Sequence, residues 1–293
     1  MARVALVSAV ASRGRDPDEI PLLDALIWRG VDATVVAWDD RSVDWGGFDL
    51  AVIRSTWDYL RRGREFSRWL HRVERRTRLA NPAELVEWNL DKRYLNDLVS
   101  AALPVVPTTF LEPGDAVRIP DRGEIVVKPV VSAGAADTRR YRMPDHADGA
   151  RAHVDALLTD GRPVMVQPYL PSVEDPGEID LVFLGGAYSH AVRKVGPLAE
   201  AAEAPAVLPH DQRASAIEAS VEQVALAERA VRIAADRFGE GGLPLYARVD
   251  LVLGVRDEPL ILELELAEPS LYLVTAEGAA DRFADAIAND LDR

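Results

Sequence analysis

Residues 245–272 read LYARVDLVLGVRDEPLILELELAEPSLY, two aliphatic runs separated by a cluster of turn formers. The pattern predicts two strands joined at Val255-Arg256-Asp257-Glu258. Alternate side chains of a strand share a face, so Glu263 and Glu265 point the same way, about 7 Å apart. With the turn as midpoint, Asp250 opposes Glu263 and Arg248 opposes Glu265. The same pairing collects Ala247, Val249, Leu251, Leu253, Leu260, Leu262, Leu264 and Leu266 on the other face, all aliphatic. A slip of one residue mixes the two faces, so the hydrophobic pattern selects this parity. Directly opposed Cβ atoms lie about 5 Å apart. Carboxylates that close repel, so either one is protonated or a cation sits among Asp250, Glu263 and Glu265. An all-oxygen donor set suits Mg²⁺ or Mn²⁺ shared with phosphate oxygens. The competing reading is a solvated outer face with glutamates that serve solubility.

The chain has 293 residues, enough for one large domain or two to three smaller ones. No apolar run approaches the ~18 residues of a membrane helix, and MARVALVSAV lacks the layout of a signal peptide. Without cysteine there are no disulfides, thiolate metal sites or cysteine nucleophiles. These features predict a cytoplasmic protein with no membrane partner. The net charge of −14 argues against a nucleic-acid or membrane-surface binder, which needs a basic footprint. Only Lys92, Lys128 and Lys194 are lysines among the 34 basic residues. In a chain that otherwise uses arginine, they are candidates for sites that need a compact point charge, such as phosphate sites.

Residues 3–9, 32–38 and 48–54 read as strands, and 20–30 and 64–76 as amphipathic helices between and after them. That alternation predicts a parallel sheet, with ligands beyond the carboxyl ends of its strands. RSTWDY (54–59) falls there and offers Arg54, Ser55, Thr56 and Asp58; the alternative is a helix cap with Trp57 as packing. All six tryptophans precede residue 90, which predicts a core within this unit. A helix over roughly 88–102 ends at LPVVPT. Then come a strand (124–131), a polar loop (132–141), a helix (148–160) and a strand (162–170). Lys128 precedes the loop that contains Gly134. Strands 179–186 and 187–195 form a hairpin through Gly185-Gly186, with Arg193 and Lys194 at its far end. The stretch 197–222, with Pro197, Pro205 and Pro209, reads as a mobile loop leading into helix 215–238. A helix over 277–291 closes the chain.

In this order, Lys92, VVKP around Lys128, VQPYL, ARVD and LELEL resemble the ATP-grasp enzymes, most closely the glutathione-synthetase-like branch. Within it, RSTWDY, NP…WNLDKRYL and SHAVRK…LELELAEPSL are similar to the cyclo-ligases that close O-ureido-serine to cycloserine. The resemblance implies an α/β chain with an α+β lid, divided into three units. These are a Rossmann-like substrate domain (1–88), a lid and central domain (89–170) and a metal-bearing domain (171–293). It implies that Lys92 and Lys128 hold the α- and β-phosphates of ATP and that Ser132, Ala133 and Gly134 close over them. Gln167, Tyr169 and Leu170 would border the adenine, and Asp250, Glu263 and Glu265 would bind two Mg²⁺ ions, with Mn²⁺ as a substitute. Arg193 and Arg248 would stabilise the transferred phosphoryl group. Arg54, Ser55, Thr56 and Asp58 would face a small amino-acid-like substrate. Three positions depart from the family pattern: Gln167 stands where many members have Glu, the lid loop is poor in Gly, and Glu265 replaces an Asn.

The implied activity is ATP-dependent C–N bond formation, within one molecule or between two. A nucleotide-binding protein without turnover is the alternative from another class. His190 reads as a hydrogen-bonded strand residue, and His71, His146, His153 and His210 lack zinc-ligand spacing. The arginine-rich stretch 61–78 reads as a solvated helix face, and a homo-oligomer is compatible with the pattern.

Overall fold

A computed structural model of the chain describes residues 1–132, 134–195, 214–238 and 242–292. The first sheet is built as the alternation predicts. It contains β1 (Arg3–Ser8), α1 (Glu19–Trp28), β2 (Asp32–Ala37), β3 (Leu50–Ser55), α2 (Gly63–Glu74) and β4 (Arg78–Leu79). All pairings are parallel, in the order β2-β1-β3-β4. Strands β1 and β3 are aliphatic on both faces because helices cover both sides. The two-residue β4 carries no pattern of its own and was not anticipated.

The helix expected over 88–102 is two helices, α3 (Ala83–Leu90) and α4 (Leu95–Ser100). The break is at Asp91, whose backbone is extended (φ −101°, ψ 106°) and whose carboxylate accepts the Arg93 N–H. Asp competes for nearby backbone N–H groups in this way and so starts a new turn. Lys92 sits in the break, where its N–H donates to the Val130 carbonyl at 3.2 Å.

The second sheet has the order β5-β8-β6-β7, all antiparallel. It comprises β5 (Thr109–Leu111), β6 (Gly123–Pro129), β7 (Arg139–Met143) and β8 (Val164–Pro168), covered by α5 (Ala147–Thr159). The end of the expected polar loop is thus β7, a strand hidden by its arginines.

The third sheet, antiparallel and ordered β11-β10-β9-β12-β13, carries the opening motif. Its strands are β9 (Glu178–Leu184), β10 (Ala187–Lys194), β11 (Ala214–Ile217), β12 (Tyr246–Leu253) and β13 (Pro259–Glu265). Gly185 and Gly186, at φ 61° and 80°, make the β9–β10 turn. Of the expected mobile loop, residues 196–213 lie outside the described residues, whereas 214–217 are β11. Helix α6 (Val221–Arg237) starts later than expected because Ser220 and Gln223 form a capping box. The last helix is α7 (Ala279–Leu291).

The expected register holds at the acidic end of the β12–β13 pair: Arg248 faces Glu265 and Asp250 faces Glu263. Beyond Asp250 a bulge intervenes, and Leu251 pairs with Ile261. The expected aliphatic face is corrected at Leu260 and Leu262 accordingly. Ile261 joins Val249, Leu251, Leu264 and Leu266 in the core beneath the sheet, against Leu226, Ala230 and Ala234 of α6. Leu260 and Leu262 pack on the other side with Val106, Val126, Tyr169, Leu170, Val173 and Val252. One extra residue in a strand reverses the facing of everything beyond it.

The first sheet has one core of its own, where Trp38, Trp45, Phe66 and Trp69 pack at its α2 side. Its other face is shared. Val4, Leu6, Leu22, Leu26 and Val52 pack with Tyr246, Leu271, Phe283 and Ile287 from the far end of the chain. No helix among the described residues is long and apolar enough to cross a membrane.

Candidate active site

Asp250, Glu263 and Glu265 each offer a carboxylate oxygen within 4.8 Å of the other two. Two lysines from elsewhere in the chain meet them. Lys128 Nζ donates to Glu263 Oε1 at 2.7 Å, and Lys92 Nζ lies 3.5 Å from Glu263 Oε2 while donating to the Ser132 carbonyl at 2.7 Å. Lys128 arrives on β6, and Lys92 arrives because the helix breaks at Asp91. Burial would raise the Glu263 carboxyl, but Lys128 and Lys92 outweigh it and hold the group well below the usual carboxylate range. Burial pushes Glu265 up to about 8, with Asp250 and Glu263 adding to the rise against Arg248.

Arg248 is the central cation. Its Nε and Nη2 donate to the two oxygens of Asp250 at 2.7 and 2.8 Å, and Nη2 also reaches Glu265 Oε1 at 2.7 Å. Beside it is a second acidic group that the sequence reading passed over. Glu178 and Asp180, on β9, lie next to Asp250 with oxygens again within 4.8 Å. Asp180 is fully buried and accepts from the Tyr272 hydroxyl at 2.8 Å, and Lys194 contacts Glu178 at 2.5 Å and Asp180 at 3.7 Å. Burial alone would lower Lys194, but Asp180 and Glu178 raise it well above the ordinary lysine value. The signal for this group was the alternation in GEID, which places both acids on the face of Asp250.

Arg193 departs from the expectation. The register pairs Arg193 with Ile179 and Lys194 with Glu178, so Lys194 is on the carboxylate face and Arg193 on the opposite one.

The remaining candidates occupy three surroundings. Gln167 is buried and donates to Thr108 Oγ1 at 2.9 Å. Tyr169 lies under the Arg140 guanidinium, 3.5 Å from its ring centre, and Leu170 completes the apolar cluster next to Leu260 and Leu262. In the loop, Ser132 Oγ donates to the Pro129 carbonyl, Gly134 adopts φ 58°, and Ala133 lies outside the described residues. At the carboxyl end of β3, Ser55 donates to Ser8 Oγ, and Thr56 is fully buried with Oγ1 unpartnered. Asp58 accepts from Trp38 Nε1 and Arg62, each at 2.8 Å. Arg54 is buried 3.7 Å from both Asp16 and Asp18, and it donates to the Pro269 carbonyl at 3.2 Å. That bond ties the first sheet to the loop after β13.

Glu268, in that loop, was also passed over. It is buried, turned to the Tyr59 hydroxyl, and pushed up to about 7 by burial, against the opposing influence of Tyr59, Arg248, Lys92 and Arg54.

The site therefore runs from an apolar cluster, past two lysines, to a set of carboxylates around Arg248. Such a series can accept an apolar ring, anionic oxygens and hard cations in turn. The all-oxygen donor set of Asp250, Glu263 and Glu265 fits Mg²⁺.

The family described as the N-terminal domain of D-cycloserine synthetase DcsG matches residues 4–81. The cycloserine biosynthesis protein DcsG of Streptomyces lavendulae is 41% identical over 301 residues, covering 99% of each chain. The crystal structure of D-cycloserine synthetase DcsG superposes with a TM-score of 0.87 at 38% identity, covering 99% of this chain and 100% of that one. A D-alanine–D-alanine ligase from Bacillus anthracis, complexed with ATP, shares the fold at a TM-score of 0.68 and 13% identity, covering 100% of this chain and 98% of that one. The chain thus belongs to the DcsG family and is an ATP-dependent ligase of the ATP-grasp fold.

Proposed function

We propose that the chain closes an O-ureido-serine-type amino acid to a cycloserine-type ring, as a step of antibiotic biosynthesis, with ATP converted to ADP and phosphate. The observation that carries this reading is the full-length 41% identity to the cycloserine biosynthesis protein DcsG. Residues 1–88 act as the substrate unit, 89–170 as the lid and central unit, and 171–293 as the metal-bearing unit.

In this reading Lys92 and Lys128 hold the ATP phosphates, and Gln167, Tyr169, Leu170 and Leu262 border the base. Ser132, Ala133 and Gly134 cover the phosphates, and Asp250, Glu263 and Glu265 hold two Mg²⁺ ions. The ions, when bound, neutralise charge on the β- and γ-phosphates. Arg248 steadies the substrate oxygen and the phosphoryl group it accepts, and Lys194 takes the role first given to Arg193. The Arg54–Asp58 segment closes the substrate side.

The chemistry balances in three steps. A substrate carboxylate oxygen bonds to the γ-phosphorus as ADP leaves. The ureido nitrogen on oxygen then attacks the activated carboxyl carbon, loses its proton and expels phosphate. Water then adds to the carbamoyl carbon left on the ring nitrogen; that C–N bond breaks, the ring nitrogen takes the proton, and the carbamic acid released breaks down to CO₂ and ammonia.

The test is Mg²⁺-dependent ADP release with O-ureido-D-serine, its L-isomer, and single and paired amino acids. Turnover of one ureido compound without a second substrate is expected. Turnover only with pairs of amino acids would replace this reading by an intermolecular ligase.

A further inference from the structure

The loop after β13 is held residue by residue. The Ala267 carbonyl accepts from the Tyr246 hydroxyl (2.9 Å), Pro269 from Arg54 (3.2 Å), Ser270 from Arg248 Nη1 (3.2 Å) and Leu271 from His190 Nε2 (2.9 Å). Tyr272 takes the left-handed conformation at φ 50°, with its hydroxyl fixed on Asp180. Strain in a bulky residue persists only where the surroundings over-determine it. Glu268 stands in the middle of this fixed segment, so its backbone position is set by the fold.

That carboxylate is an exception among the buried and half-buried acids around it. Glu263 has Lys128 at 2.7 Å, Asp250 and Glu265 each have Arg248 at 2.7 Å, and Glu178 has Lys194 at 2.5 Å. Asp16 and Asp18 flank Arg54, and Asp58 has Arg62. Glu268, 9% exposed, forms no ion pair with any described residue; its close neighbour is the Tyr59 hydroxyl, while Lys92, Arg248 and Arg54 act on it from farther away. A buried carboxylate without a counter-charge costs stability unless a ligand supplies one.

Its place identifies the ligand group. Glu268 lies three residues beyond Glu265, near enough to act on it, and against Tyr59 in the turn after β3. A substrate carboxyl accepting phosphate must lie at the Arg248 end of that carboxylate group. In an α-amino acid the ammonium is on the next carbon, a few ångströms from the same carboxyl. We propose that Glu268 binds the α-ammonium of the substrate, which restricts turnover to amino acids with that ammonium free. This rests on the ligase reading above. The raised carboxyl is consistent with it, because an ammonium beside Glu268 restores the anion that burial disfavours.

The experiment uses the full-length protein with Mg²⁺ and ATP, comparing wild type with Glu268→Gln and Glu268→Asp. Substrates are O-ureido-D-serine, its L-isomer and the desamino analogue 3-(ureidooxy)propanoate. Glu268→Gln is expected to raise KM for the amino compound by about 30-fold or more, the scale of a lost charged hydrogen bond, with kcat and KM for ATP nearly unchanged. It should also erase the wild-type preference for the amino over the desamino compound, and Glu268→Asp should restore part of it. A preference that survives in Glu268→Gln overturns the proposal. So does a fall in kcat at constant KM, which would make Glu268 a proton acceptor.

If wild type releases no ADP with any compound, the ring-closing function fails on its own account. The ammonium assignment is then decided by thermal shift with Mg²⁺ and AMP-PNP, comparing D- and L-serine with 3-hydroxypropanoate. A serine-specific shift in wild type that is absent in Glu268→Gln supports it. Equal shifts in the two proteins, or no serine-specific shift in wild type, overturn it.

Discussion

At the end of β10 one residue of register decides which cation meets the acids. Lys194 pairs with Glu178 and contacts Asp180, while Arg193 belongs to the face of Ile179. Replacing Lys194 by Met leaves the buried Asp180 and the half-buried Glu178 short of a cation. We expect turnover to fall by at least about 100-fold, together with a loss of roughly 3–5 kcal/mol in urea unfolding. Arg193→Met should stay within about 5-fold of wild-type turnover, since arginine burial there is mostly packing. Steady-state ADP release by the two variants checks the pair. The sequence separated these neighbours only by strand parity, a one-residue question. Parity was readable at Asp250 and Glu263, where two strands constrained each other. It was overlooked at Glu178 and Asp180, where the partner strand lies far away in the chain. Glu268 was illegible for a different reason: a lone acid in a loop has no period, and its burial comes from residues throughout the chain.

Among the elements, the bulge in β13 shapes the apolar cluster proposed above to border the base. It turns Leu262 toward Tyr169 and Leu170, while Glu263 keeps its place opposite Asp250. Truncating Leu262 to Ala should cost about 1–2 kcal/mol of apolar contact, a 5- to 30-fold rise in KM for ATP, with KM for the second substrate unchanged. The β10 strand bears a second consequence. The Leu271 carbonyl can only accept, so His190 carries its proton on Nε2, and Nδ1 accepts from the Ser189 hydroxyl. Burial lowers His190 from 6.5 to about 4. A depressed histidine contributes stability that is fully present above 6.5 and is lost as pH falls toward 4. The urea midpoint of wild type, measured against His190→Gln, should therefore lose its advantage across that interval; a difference constant with pH would refute the assignment. Strands and long helices were legible because burial repeats with their period. The break at Asp91, the bulge at Leu262 and the arginine-rich β7 were not, since each follows from local competition or from a partner far along the chain.

For the whole molecule, the shared core between the first sheet and α7 makes the amino-terminal unit dependent on the rest. Leu22 and Leu26 on α1 rely on Phe283 and Ile287 for cover. A fragment of residues 1–88 should bind a hydrophobic dye and melt without a sharp transition, whereas the full chain melts cooperatively. A sharp melt of the fragment would show that the tryptophan-rich side suffices alone. The outer edge of β13 has a comparable dependence. Ile261 bonds to the Pro104 carbonyl and the Val106 N–H. The Leu264 N–H meets the Tyr94 hydroxyl, and Asn89 takes both the Leu264 carbonyl and the Leu266 N–H at 2.7 Å. Asn81 reaches the Leu266 carbonyl, also at 2.7 Å. An open strand edge is a template on which another chain can add, and proteins block such edges to avoid aggregation. Here the strand that bears Glu263 and Glu265 is the last of its sheet, and side chains from NP…WN…Y stand in for the missing neighbour. The segment that leads to Lys92 thus also closes an edge on which another copy of the chain would otherwise add.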